Sequence, residues 1–92
     1  MKNFFRVISQ GQPFTVTKQD QSTLNKCQIV LQEIGGKFED TFVCDLLGNS
    51  ALCKFYENDL VYASLRFQRS EYQGKSYQDI MVQDIISFSH HN

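Results

Sequence analysis

Asp59-Leu60-Val61-Tyr62-Ala63-Ser64-Leu65-Arg66-Phe67-Gln68, followed by the Gln73-Gly74 turn and Gln78-Asp79-Ile80-Met81-Val82, is the stretch on which the fold depends. Val61, Ala63, Leu65 and Phe67 alternate with Tyr62, Ser64, Arg66 and Gln68. That period of two belongs to a half-buried strand, because successive side chains point to opposite faces. Gln73-Gly74 then reverses the chain into a second alternating run from about Lys75 to Phe88. Ile80, Val82, Ile86 and Phe88 form its expected inner face, and Tyr77, Asp79, Met81 and Gln83 its outer one. The pair reads as one long hairpin.

Upstream, Leu47-Gly48-Asn49-Ser50-Ala51 reads as a strand end and the start of a short helix. Asn49 is the expected N-cap, and Leu52, Phe55 and Tyr56 recur at helical spacing, which would give an apolar plug. The strand before it runs from about Lys37 to Leu47. Phe42, Cys44 and Leu46 share its inner face, while Thr41, Val43, Asp45 and Leu47 share the outer one. Gly35-Gly36 reads as a two-residue hairpin turn, since both positions tolerate positive φ. It joins this strand to one over Lys26 to Ile34, with Cys27, Ile29 and Leu31 inward.

The first strand, Phe4 to Ser9, puts Phe5 and Val7 on one face and Phe4, Arg6 and Ile8 on the other. It breaks over residues 10–13 and resumes at Phe14 to Thr17, which predicts a strand bent at Gly11, as barrel closure requires. Residues 18–23 are polar and read as a loop. Five strands with a short helix between the third and fourth predict an all-β, five-stranded OB barrel, an architecture that mostly binds extended polymers. Residues 1–89 form the one domain expected, and 90–92 a C-terminal tail.

Composition narrows the function. The 92 residues suffice for one core, and no run reaches the roughly 20 apolar residues of a membrane helix. Arg6 interrupts the N-terminal apolar run too early for a signal peptide, so a cytoplasmic protein is expected. Cys27, Cys44 and Cys53 form no Cys-x-x-Cys pair and read as free thiols. His90 and His91 stand alone on the tail, so no metal site or other cofactor is expected. Nor is a catalytic one, because no regular element positions a histidine beside a cysteine, and nothing beside Glu39, Asp40 and Asp45 is built to shift a pKa. A non-enzymatic protein without a small-molecule substrate is the reading that remains. Nine basic against ten acidic residues, net −1, count against strong phosphate binding but leave room for a local basic face.

Phe42 to Gly48 with Ala51, then Asp59-Leu60-Val61-Tyr62, Arg66, Gln68, Tyr72, Gly74 and Ile80, resemble the bacterial single-stranded DNA-binding proteins and the primosomal protein PriB. A closer resemblance is to small stand-alone OB-like bacterial domains of unknown function. The likeness covers residues 24–88 well and the first strand loosely. It implies an OB fold, binding of single-stranded nucleic acid, and dimers or tetramers. The positions that carry stacking aromatics on the third strand of that family are Thr41 and Leu47 here, which moves the expected contacts elsewhere.

Sequence-tolerant binding of single strands needs aromatic planes and cations together. Arg66, Arg69, Tyr72, Lys75 and Tyr77 supply both across the long hairpin. Lys37 and Phe38 form a second candidate finger, beside the unfavourable Glu39-Asp40, and Lys18 lies on a loop of the kind OB domains use. The plain alternatives are that Phe67 is core, that Arg66 and Arg69 pair with Glu71, Asp79 or Asp84, and that Tyr72 and Tyr77 form a cross-strand pair. The expected function is a single-stranded nucleic-acid module, DNA first with RNA open, accessory to replication, recombination or repair. The alternative is a protein-interaction OB domain in an oligomer, suggested by the outward apolar Val43, Leu47, Met81 and Ile85.

Overall fold

The computed structural model describes residues 1–37 and 39–88, with Tyr72 described in its backbone alone. Its strands are β1 (Lys2–Gln10), β2 (Phe14–Thr17), β3 (Thr23–Glu33), β4 (Thr41–Leu47), β5 (Leu60–Tyr72) and β6 (Lys75–Ser87), with a 3₁₀ helix at Gly48–Leu52. The sheet runs β1-β5-β6-β4-β3-β2, and a further β1–β3 pairing closes it. Five strands, β1, β3, β4, β6 and β5, thus complete a ring, and β2 continues along the outer half of β3. All strand pairings are antiparallel except β4–β6, which meet in parallel at Asp45 and Met81. With the 3₁₀ turn between the third and fourth barrel strands, this is the OB order. No helix among the described residues is long and apolar enough to cross a membrane.

Closure is achieved by dividing β1 between two neighbours. Lys2 to Arg6 pair with β5, and Phe5 to Gln10 pair with β3. The register slips between Val7 and Ser9, so Ile8 is the extra residue of a bulge. A bulge adds bend and twist, and it places the corner at Ile8, ahead of the expected Gly11. Phe5 and Val7 face inward and are fully buried.

Three other expectations need correction. Gly35-Gly36 is not a two-residue turn: β3 ends at Glu33, β4 begins at Thr41, and the Glu33 N–H donates to the Asp40 carbonyl (2.9 Å) across the loop. Residues 37, 39 and 40 bring no apolar side chain inward, so pairing starts only one residue before Phe42. The plug is a five-residue 3₁₀ helix in which Asn49 is internal, and Leu47 caps it without a side-chain bond. Cys53 leaves in extended conformation, and the buried plug is Ala51 with Phe55, while Leu52 and Tyr56 face out. The Gln10 amide clamps this exit, donating to the Cys53 carbonyl (2.8 Å) and accepting from the Phe55 N–H (2.7 Å).

The last correction lies in β6. Ser64 pairs with Asp84 but Leu65 with Val82, which leaves Gln83 bulged. Because a one-residue slip reverses every later side chain, Ile85 turns inward onto the core while Ile86 and Phe88 turn out. The outward Ile85 and inward Ile86 and Phe88 of the sequence reading are therefore exchanged. Val43 is outward and exposed as expected.

All three cysteines are free, Cys27 and Cys44 buried and Cys53 exposed. Burial, with Asp45 next to it, pushes the Cys44 thiol from 9.0 up to about 12. The folded state thus holds this proton after the unfolded chain would have lost it. The stability that follows is present below pH 9 and is lost as pH rises towards 12. In native protein, a soluble aromatic disulfide should modify Cys53 at once, and Cys27 and Cys44 only as fast as the chain opens. Three thiols reacting in one fast phase would contradict the burial pattern.

Candidate nucleic-acid interface

β5 and β6 have 13 residues each, against 7 in β4. Their ladder is unbroken from Leu65–Val82 to Tyr72–Lys75, whereas β6 meets β4 only at Met81. Beyond Met81 the hairpin therefore outruns the barrel as a two-stranded ribbon. Gln73 (φ 52°) and Gly74 (φ 77°) form its tip, both in the left-handed region that a tight hairpin turn requires. Since β4 and β6 are parallel, the tip lies past the same end of the sheet as the loop 34–40. The turn 18–22 lies past the opposite end of β3.

Alternation along this ladder sorts the candidate residues onto two faces. Phe67 and Arg69 of β5, opposed by Ile80 and Gln78, continue the inner face of the barrel. Arg66 opposite Met81, Tyr77 opposite Ser70, and Lys75 opposite Tyr72 belong to the outer face. The predicted cluster is thus divided, with Arg69 across the ribbon from Arg66, Lys75 and Tyr77. Tyr72 and Tyr77 are diagonal neighbours, not a directly opposed pair, and the Tyr72 side chain lies outside the described residues. Lys37 is exposed on the loop at the hairpin's end of the sheet, and Phe38 falls outside the described residues. Lys18 is remote from the hairpin, in a turn fixed by its N–H to the Ser22 carbonyl (2.8 Å). In that turn the Ser22 hydroxyl and N–H hold the Asp20 carboxyl below its ordinary range.

A groove of about 450 Å³ follows the ribbon, lined by Phe67, Gln68, Arg69, Ser76, Tyr77 and Gln78. Phe67 corrects the core assignment: it points inward by parity yet is 41% exposed, because the barrel ends beneath it. Its ring meets Phe42 edge-on at 6.1 Å, and Phe42 meets buried Phe5 at 6.1 Å, so an aromatic series runs from core to groove. The signal was in the sequence, since an alternating run far longer than the strand beside it must leave its last inward residues uncovered.

The electrostatics are modest. Arg69 pairs with Glu71, both well exposed, and such a pair is worth only about 0–1 kcal/mol, so a phosphate can replace the carboxylate at small cost. The Ser70 hydroxyl donates to Asp79 Oδ2 (2.7 Å) on the outer face. On the outer β3–β4 face, Lys26 lies 3.6 Å from Asp45 and compensates its charge. That face presents Gln28, Val30 and Gln32 opposite Asp45, Val43 and Thr41, with no ring among the described residues.

A closed five-stranded barrel with a projecting, ring-bearing hairpin defines the class: this is an OB-fold domain. No sequence family and no curated protein matches the chain. The second OB-fold domain of replication protein A from Methanococcus maripaludis superposes with a TM-score of 0.75 at 14% identity, over 99% of this chain and 85% of that one. The mitochondrial single-stranded DNA-binding protein Rim1 from S. cerevisiae superposes at 0.62 and 13% identity, over 99% and 96%. At such identities the likeness is one of fold.

Proposed function

We propose that this chain is a single-stranded nucleic-acid-binding OB module, taking DNA in preference to RNA, whose contact surface is the projecting β5–β6 hairpin. The observation that carries it is Phe67, a ring open to solvent at the barrel rim in a groove that Arg69 also lines. A nucleobase stacked on such a ring contributes roughly 1–3 kcal/mol, whatever its identity. Tyr77 offers a second exposed ring, and Arg66 and Lys75 stand on its side of the ribbon. A strand laid across the hairpin meets a ring and a cation on either face. The names of the two structural neighbours, a replication protein and a single-stranded DNA-binding protein, support this reading and an accessory role in replication, recombination or repair. The module acts without a cofactor or catalytic step.

Amide chemical-shift mapping with a short oligo-thymidine tests the surface. Shifts are expected over residues 66–69 and 75–78, with little change at Phe4, Tyr62 and Ile86. Shifts confined to the β3–β4 face would overturn the assignment to the hairpin. A second reading, protein–protein contact, is favoured by an apolar face on the far side of the barrel.

A further inference from the structure

Neither edge of the projecting ribbon is paired among the described residues. On the β5 side the neighbouring chain ends at Met1, whose carbonyl accepts from the Leu65 N–H (2.6 Å). On the β6 side β4 makes its single pairing at Met81. Between Arg66 and Ile80 the ribbon therefore has two faces and two open edges, and each face carries its own ring and cation. The inner face holds Phe67, 41% exposed, with Arg69 two residues further along the same side. The outer face holds Tyr77, 48% exposed, with Lys75 and Arg66 on its side. Tyr77 also borders the groove, but alternation sends its side chain to the face opposite Phe67. Phe67 pairs with Ile80 and Tyr77 with Ser70, so the rings stand three pairs apart, roughly 10 Å along the ribbon. No single base reaches both. The faces also differ in charge: Arg69 and Glu71 balance on the inner one, whereas Arg66 and Lys75 outnumber Asp79 on the outer one.

We propose that the ribbon holds two single-stranded segments at once, one on each face, so that the domain prefers a fork with two unpaired arms to a lone strand. This rests on the functional reading above and extends it from one strand to two. A layer packed on a sheet sits about 10 Å from it, which puts strands on opposite faces roughly 20 Å apart. That is about twice the Debye length near 0.1 M salt, so their phosphates repel each other little. With protein in excess, one strand passes an open edge and engages both faces. With strands in excess, each face takes its own, the outer first because of its net positive charge.

Two measurements on the full chain test this. The first is the number of short oligo-thymidines, about six residues long, bound per chain with strands in excess. The second is the affinity for a duplex with two oligo-thymidine arms relative to the same duplex with one arm. The wild-type chain should bind two strands, and the second arm should tighten binding at least about tenfold. Arg69→Glu and Tyr77→Ala, both at exposed positions, should each leave one strand per chain and a ratio near one. One strand per wild-type chain overturns the proposal while leaving single-strand binding intact. So does a variant of either face that loses all binding, or a fork preference that survives both variants. A chain that binds no oligo-thymidine overturns the functional reading itself, and this proposal with it.

Discussion

Phe5→Ala is expected to remove most of the stability of this domain. Phe5 is fully buried, pairs with Val61 of β5 and with Glu33 of β3, and packs edge-on against Phe42. It stands where β1 passes from one neighbour to the other, so the cavity would open at the seam of the barrel. Deleting a buried phenyl ring costs about 3–5 kcal/mol. At 0.05–0.15 kcal/mol per residue, a chain of 92 residues holds roughly 5–14 kcal/mol in all. Urea unfolding should show the midpoint falling by roughly 1.5–5 M, given slopes near 1–2 kcal/mol per M. Phe4→Ala, one residue along and on the outer face, should cost under about 1 kcal/mol. Equal losses at the two positions would mean that the inward–outward alternation of β1 is wrong.

The second large effect is on binding. Removing one stacking ring forfeits roughly 1–3 kcal/mol, so Tyr77→Ala should weaken oligo-thymidine binding about 5- to 150-fold without changing its salt dependence. Tyr77 is 48% exposed, and its loss leaves the core untouched. Arg66 and Lys75 are expected to act differently, through phosphate. If Arg66, Arg69 and Lys75 each neutralise one phosphate, the logarithmic salt slope is near −2, at roughly −0.7 per contact. Arg66→Ala with Lys75→Ala should bring it to about −0.7. Fluorescence anisotropy at several salt concentrations reads both effects. A Tyr77 variant that binds as wild type does would remove that ring from the contact surface.

Much of this architecture was legible in the sequence because half-buried strands alternate. Phe5 and Val7, Cys27, Ile29 and Leu31, Cys44 and Leu46, and Val61, Ala63 and Leu65 are all buried on the faces their parity assigns. Bulges are what parity cannot see. The extra residue at Gln83 exchanged Ile85 with Ile86, and the one at Ile8 moved the barrel corner off Gly11. No local side-chain pattern marks either, since a bulge is demanded by the curvature of the closed sheet. The short helix lies where the sequence places it, but its apolar face differs for another reason: Leu52, Phe55 and Tyr56 have helical spacing, and the Gln10 clamp ends the helix before Phe55. The candidate site was half legible. Its residue types were visible, but the division of Arg66 and Arg69 between faces follows from adjacent positions in a strand, and the exposure of Phe67 from how far β4 reaches.

The central claim is that the projecting hairpin makes this domain a binder of single strands, and one titration tests it most directly. Fluorescence anisotropy of a short labelled oligo-thymidine should give saturable binding at low salt that weakens as salt rises. At physiological salt the dissociation constant should fall at or below about 10⁻⁴–10⁻⁶ M, the range of non-specific binders. No binding below about 100 µM protein at low salt, where phosphate contacts are strongest, would contradict it.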